Sequence, residues 1–480
     1  MNPPSRFIIA AIAIALASTW ITPFQRDLFV GDETKYGQVV REMRATGAFF
    51  LPTLNGAPFT HKPPLHFWLI DLLTYPLGLY STWAFVIPSL IAFLFLLWLM
   101  WRMGGPLAAF VCATSLMIWG SAQSARMDIS FTAFIVLGVW MLQRAFNADD
   151  SRALLTSAVA LGVATLIKGP MAPVIGIVLF LLEARRRKRF PRVGYSGAVA
   201  ALIVIPLSWF VPAMLMGGSA YTHEVIVKQT VGRAISAWVH NAPPWFYLLH
   251  LPGILFPWFF LAVAALRGAN RFYINWILAV LVPYSLMSSK LDVYMMAMIP
   301  PVALMIADFV RRESGGKWAN TLTLALLIVP VAFLNRVPRE ARPLLIILAI
   351  AAALALITWR SLLLSTIAVG MVPLVPLVYA AMTMMPLAND IGSTRRLIAA
   401  IQKQHVAPET VALYSCPYLW SRDFPRELER VRYVDAENVG NATVIATSRA
   451  HASEIANALR GYRRVDQLQM IGKWFDVYRR

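Results

Sequence analysis

One feature recurs along this chain and limits what it can fold into: uninterrupted apolar runs of about 15–22 residues, the length that crosses a hydrocarbon core. They fall at approximately 7–23, 84–102, 106–122, 128–145, 153–167, 170–184, 196–216, 245–266, 272–288, 293–310, 319–335, 342–358 and 361–384. About thirteen such runs describe a polytopic α-helical membrane protein. Composition agrees, with 58% hydrophobic and 14% charged residues over 480 positions. A soluble domain is roughly 45–50% apolar and about 25% charged. The net charge of +19 would suggest nucleic acid in a soluble protein. In a membrane chain the same charge belongs to cytoplasmic loops and anionic headgroups, which excludes a nucleic-acid partner. The first run has no small-x-small site after it and reads as an uncleaved span. Cys112 and Cys416 lie in an apolar run and in the distant tail, so no disulfide is expected.

Charge sets the expected topology. With the N-terminus inside and thirteen spans, the run ARRRKRFPR (184–192) is cytoplasmic. So are Arg267, Arg271, Arg311, Arg312, Lys317 and Arg360, as the positive-inside bias requires. The basic stretch NRVPREAR (335–342) is the exception. Reading 153–184 as one helix broken at Lys168-Gly169-Pro170 would invert everything downstream. The two-span reading also gathers the 24–83 loop, the SARMD turn, the KGP break, the 217–244 loop and the SSKLD turn on the outer face. Nearly every unusual polar residue is then on one side.

Residues 1–385 read as the transmembrane domain and 386–480 as a small outer α/β domain. In the latter, VALYS, RVRYVD, ATVIATS and WFDVYRR have strand character, and TRRLIAAIQKQ and ASEIANALRG helical character. It carries no phosphate loop, no GxGxxG and no metal-ligand spacing, so no nucleotide is expected. Asn441-Ala442-Thr443 matches a glycosylation sequon, a pattern common by chance.

The first charged cluster lies in GDETKYGQVVREMRATGAFFLPTLNGAPFTHKPPLHFW (31–68). Asp32 and Glu33 open a helical stretch, where Asp32 serves either as a cap or as a carboxylate that takes or orients an acceptor proton. Lys62, stiffened by Pro63 and Pro64, suits a lipid phosphate, although a snorkelling lysine is the commoner case. Arg126 and Asp128 could simply pair with each other. Lys168, at a helix break, fits the lining of a polar cavity better than a lipid face. Lys290, Asp292 and Tyr294 form another possible phosphate contact. His61 and His240, with a carboxylate, would make reasonable zinc ligands.

Several ordered pieces together resemble the GT-C membrane glycosyltransferases of the protein O-mannosyltransferase and lipid A aminoarabinose transferase superfamily. They are DETKYGQVVREM, LNGAPFTHKPPLHFWL, ARMDISFTAF, LIKGPMAPVI, HNAPPWFYLLHLPGILFPW and SSKLDVYMMAMIPPVALMIA. The resemblance implies a GT-C fold and a sugar passed from a polyprenyl phosphate donor, undecaprenyl phosphate, at the outer face of a bacterial inner membrane. It implies Asp32 as the first-loop acidic residue and Asp128 as the second. It places Lys35, Lys62, Arg126, Lys168 and Lys290 around the donor phosphate. Relatives of the aminoarabinose type carry Glu before the Lys-Pro-Pro, associated there with a metal and a histidine matched by His240. This chain has His61 instead.

The leading expectation is therefore an inverting glycosyltransferase acting on lipid A, lipopolysaccharide core or a related periplasmic glycan. A protein O-glycosyltransferase with the same donor chemistry is the runner-up. A lipid flippase would predict inverted repeats and charge spread through the membrane thickness, and the sequence shows neither.

Overall fold

The computed structural model describes residues 3–232, 241–312, 315–440 and 442–480, which leaves the sequon's Asn441 outside the description. Two compact units share the chain: Met1–Ile21 with Thr60–His66 and Pro88–Met382, and Thr22–Phe59 with Phe67–Ile87 and Thr383–Arg480.

The first unit is helical. Among the described residues of the whole chain, nine helices are long and apolar enough to span a membrane, ten if the Phe246–Ile254 and Phe259–Ala265 pair, bent by 108°, is one span. The protein is a multi-pass membrane protein. The count differs from the thirteen runs for physical reasons. Met171–Arg187 and Arg271–Leu286 form helices of 17 and 16 residues, at the short end of the length that crosses a hydrocarbon core. The 106–122 run is interrupted: Thr82–Ala113 breaks at Gly105, with φ 70° and ψ −173°, and a separate helix covers Leu116–Ala122. The runs around Lys168-Gly169-Pro170 are two helices, Ser151–Lys168 and Met171–Arg187.

Asp128–Ala148 and Ser151–Lys168 form an antiparallel hairpin that follows directly from the sequence. Asp149 closes the first helix in a left-handed conformation, and the Asp150 carboxylate caps the second, accepting from the Arg152 and Ala153 amides at 2.9 and 3.1 Å. At about 1.5 Å per residue both arms are roughly 27–32 Å long, so Asp128 and Lys168 return to one end. The opposite end is basic: Arg189 pairs with Asp149 at 2.8 Å, and Arg187 reaches the Phe146 carbonyl at 3.2 Å.

In the second unit, helix Asp32–Thr46 starts after Gly31 (φ 120°) and ends at Gly47 (φ 71°), whose amide donates to the Met43 carbonyl at 2.8 Å. Gly31 occupies the cap position, and Asp32 and Glu33 lie in the first turn, where acidic groups complement the helix dipole. Tyr36, Val39, Val40 and Met43 make its buried stripe. Strands β1 (Thr53–Leu54) and β2 (Ala57–Pro58) form a hairpin across Asn55-Gly56, both in the left-handed region. The Glu42 carboxylate fastens it, accepting from Thr53 Oγ1 (2.8 Å) and the Asn55 amide (2.7 Å).

The C-terminal sheet comprises β3 (Val411–Tyr414), β4 (Arg432–Tyr433), β5 (Val444–Ser448), β6 (Arg463–Met470) and β7 (Lys473–Arg479), in the order β4-β3-β5-β7-β6. Pairing is parallel from β4 to β5 and antiparallel beyond. Helix Arg395–Gln402 packs Leu397, Ile398 and Ile401 into the same core as Val411, Val444 and Val477. The helix expected at 452–461 is instead a 3₁₀ turn, Arg449–Ile455, followed by turns. Strand β6 is additional, an edge strand too polar to read as one, which buries only Leu468 and Met470.

The boundary expected at 385 also changes. Residues 383–480 share a unit with 22–59 and 67–87, because polar groups of both segments satisfy one another. The fully buried Asp27 carboxylate accepts from the Arg395 guanidinium and from the Arg422 amide at 3.1 Å. The Asn389 amide spans the Gln25 carbonyl (2.7 Å) and the Asp27 amide (2.9 Å).

Candidate active site

The hairpin brings Asp128 and Lys168 together at one end of the first unit. The Lys168 ammonium donates to Asp128 Oδ1, and both side chains are less than a tenth exposed. Gly169, at φ 114°, ends the helix immediately after Lys168 and turns the chain away, a conformation open to glycine and strained for other residues. Above the ammonium lies the Tyr294 ring, 4.7 Å from its centroid, with Phe131 at 5.5 Å. Aromatic faces are the apolar walls a cation tolerates. Tyr294 is itself stacked on Tyr284 at 5.3 Å.

Arg126 reaches the other oxygen of the same carboxylate, Nε to Oδ2 at 3.3 Å, and its own carbonyl accepts from Ser89 Oγ at 3.0 Å. Lys62 also bears electrostatically on Asp128. One buried carboxylate thus feels three cations, and fixed cations in a low-dielectric setting suit an anion. His66, fully buried two residues after the prolines, adds no charge: burial pulls its imidazole down to about 4 against the opposing field of Asp128.

Lys290 belongs to the same unit and is 3% exposed. Its ammonium donates to the Met287 carbonyl, and burial lowers its pKa below the usual lysine value.

Asp32, Glu33 and Lys35 belong to the second unit. Glu33 is engaged in holding the entry to its own helix: it accepts from the Arg26 guanidinium and from the Phe29 amide at 2.8 Å. That explains its burial and makes it a support for the turn that presents Asp32, which is half-buried beside it.

The zinc ligands fare differently. His240 lies outside the described residues, and His61 is exposed. Among the described residues no three imidazole, carboxylate or thiol groups converge to hold a metal ion. The described residues thus supply His61 alone of the two expected zinc ligands.

Sequence reasoning passed over His66 and the seating of Lys168 against Tyr294. A histidine inside LHFWLI is the available signal, because burying an ionisable group among apolar residues is costly.

Residues 61–210 match the family model described as dolichyl-phosphate-mannose-protein mannosyltransferase, a stretch that includes Lys62, Arg126, Asp128 and Lys168. The undecaprenyl phosphate-alpha-4-amino-4-deoxy-L-arabinose arabinosyl transferase of Edwardsiella ictaluri is 26% identical over 329 residues, 63% of this chain and 59% of that protein. The enzyme of the same name from Pseudomonas aeruginosa (strain UCBPP-PA14) is 28% identical over 396 residues, covering 73% and 71%. The chain thus matches about three-fifths of the length of the first relative. The crystal structure of ArnT from Cupriavidus metallidurans bound to undecaprenyl phosphate superposes with a TM-score of 0.76 at 16% identity, over 98% of both chains. The fold is shared across essentially the whole chain.

Proposed function

We propose that this chain, which has the GT-C fold and is ArnT-like, is an inverting glycosyltransferase that uses a sugar linked to undecaprenyl phosphate. The acceptor is lipid A, lipopolysaccharide core or a related periplasmic glycan. The observation that carries this reading is the cluster of Lys168, Arg126 and Lys62 around Asp128.

The chemistry follows from the leaving group. As the sugar's C1–O bond breaks, its electron pair stays on a lipid phosphate oxygen, and fixed cations stabilise that growing charge. Removing one such group typically costs about 10²–10³ in rate. Lys168 and Arg126 hold the phosphate, with Lys62, Lys290 and Lys35 supplying further positive charge. Asp128 orients the first two. Asp32 orients the acceptor or takes its proton, and Glu33 braces Asp32. Arg185–Arg192 at the opposite end of the hairpin support a cytoplasmic assignment for that end by the positive-inside bias, hence a periplasmic site in the inner membrane.

The test uses a strain deleted for the gene, complemented with wild type, Asp32→Asn or Lys62→Ala. Lipid A and core oligosaccharide are analysed by mass spectrometry. A one-sugar increment restored by wild type and not by the variants is expected. Unchanged lipid A and core with a sugar gained on a membrane protein would move the acceptor to protein. Full restoration by both variants would refute the residue assignments.

A further inference from the structure

An imidazole–carboxylate pair lies outside the cation cluster. His250 Nδ1 lies 2.7 Å from Asp292 Oδ1, and the ring rests on Phe246, one helical turn earlier, at 3.8 Å between centroids. We infer that His250, oriented by Asp292, is the proton acceptor of the transfer reaction and that the acceptor substrate therefore presents a hydroxyl. The inference rests on the glycosyltransferase reading above.

Three observations carry it. First, the pair stands among apolar residues yet is open at its surface. His250 belongs to the apolar helix Phe246–Ile254, and Asp292 opens the span Asp292–Arg312, yet their side chains are 41% and 48% exposed. Groups of this kind in membrane segments face a polar cavity or the interface rather than lipid.

Second, the pair adjoins the cation cluster. The 3₁₀ turn that Asp292 begins carries Tyr294, whose ring faces the Lys168 ammonium. Its start is fixed by the Leu291 amide, which donates to the buried Tyr247 hydroxyl at 3.3 Å.

Third, the geometry selects a tautomer. A carboxylate only accepts, so the neutral ring carries its hydrogen on Nδ1 and presents the Nε2 lone pair outward. This is the arrangement of a general base held by a carboxylate. The other ionisable groups on the elements packed against this helix are Tyr247, Tyr284 and Tyr294, with Arg271 and Tyr273 at the start of helix Arg271–Leu286. Among the described residues of these elements, none is a second carboxylate that would compete for Nδ1.

The step balances simply. The acceptor hydroxyl oxygen forms a bond to the sugar's C1, and its proton passes to His250 Nε2. The C1–O bond to the lipid phosphate breaks, and its electron pair remains on the phosphate. A phosphate monoester acceptor would need no such base, because its oxygen is already anionic at neutral pH. Asp32 then keeps the orienting role.

The experiment uses the full chain in proteoliposomes with sugar-linked undecaprenyl phosphate and an envelope glycolipid extract from the deletion strain. His250→Gln should lower kcat by about 10²–10⁴-fold, the usual worth of a general base. Binding of undecaprenyl phosphate itself should stay within threefold of wild type. The fall in wild-type rate toward acid pH should vanish in this variant, which a merely structural role would not produce. Asp292→Asn should cost less, about 10–100-fold, as orienting partners of an imidazole do. That second variant decides the matter should His250→Gln misfold. The product should survive mild acid, as an O-glycoside does and a glycosyl phosphate does not. Wild-type rates in both variants, or an acid-labile product, would overturn the inference while leaving the transferase reading intact. No transfer by wild type would overturn both.

Discussion

Replacing Lys168 with methionine isolates the cluster's central interaction. The substitution keeps the apolar stem and its seat against Tyr294 and Phe131 while removing the charge. Two opposite charges in contact are worth about 4 kcal/mol at an effective dielectric of 20, and removing one partner of a buried pair usually costs about 3–5 kcal/mol. Arg126 remains on Asp128 at 3.3 Å but is 35% exposed, so its compensation is partial. Lys168→Met should therefore destabilise the protein by about 2–4 kcal/mol, read as thermal unfolding in detergent. Asp128→Asn added to Lys168→Met removes the stranded charge and should recover more than half of that loss. Transfer should not recover, because the cation facing the phosphate is still missing, and should stay about 10²–10³ below wild type. Strictly additive stability effects would refute the coupling of the pair. Restored transfer in the double variant would refute the role of Lys168 toward phosphate.

Other substitutions probe the remaining structure. Arg395→Ala strands the buried Asp27 carboxylate; since Arg395 is 37% exposed and partly screened, the cost should be at most about 3 kcal/mol, with faster proteolysis in residues 24–46. Gly37→Leu should cost about 1–3 kcal/mol in thermal unfolding, because a Cβ there would sit 2.9 Å from Trp420 Cδ1. His66, held neutral with a pKa of about 4 against 6.5 in the open chain, contributes stability that is complete above pH 6.5 and lost as pH falls toward 4. The span is about 3 kcal/mol, and His66→Asn should flatten this part of the pH–stability curve.

Much of the cluster could be read before any coordinates. Arg126 beside Asp128 suggested their pairing, while the meeting of Asp128 with Lys168 needed the hairpin turn at Asp149-Asp150 to be recognised. Lys62 stood out in the sequence through the two prolines that follow it. Glu33 was not, because its engagement depends on how the backbone from Arg26 to Phe29 folds back, and an acidic pair in a sequence looks the same whether it is braced or available. His66 resembled an ordinary core position. A glycine with positive φ separates an apolar stretch from one continuous helix, which hydropathy alone cannot distinguish.

The domain boundary illustrates a more general limit. A change of composition near residue 386 marks where spans end and strands begin, and it is a sound guide to secondary structure. It does not reveal which segments fold together, because that depends on partners such as Asp27 and Arg395, 368 positions apart. Asp27 has no periodic apolar context and would pass as a solvated loop residue, yet a fully buried carboxylate must be paired. The pairing ties the segment leading into helix Asp32–Thr46 to residues 383–480, so the C-terminal sheet supports the helix that presents Asp32. Deleting residues 386–480 should therefore do more than remove a peripheral domain. It would strip Asp27 of Arg395, Arg422 and Asn389 together and unfold the segment around Asp32, so that activity is lost together with folded protein. A truncated chain that kept its fold and its transfer activity would refute this view of the unit.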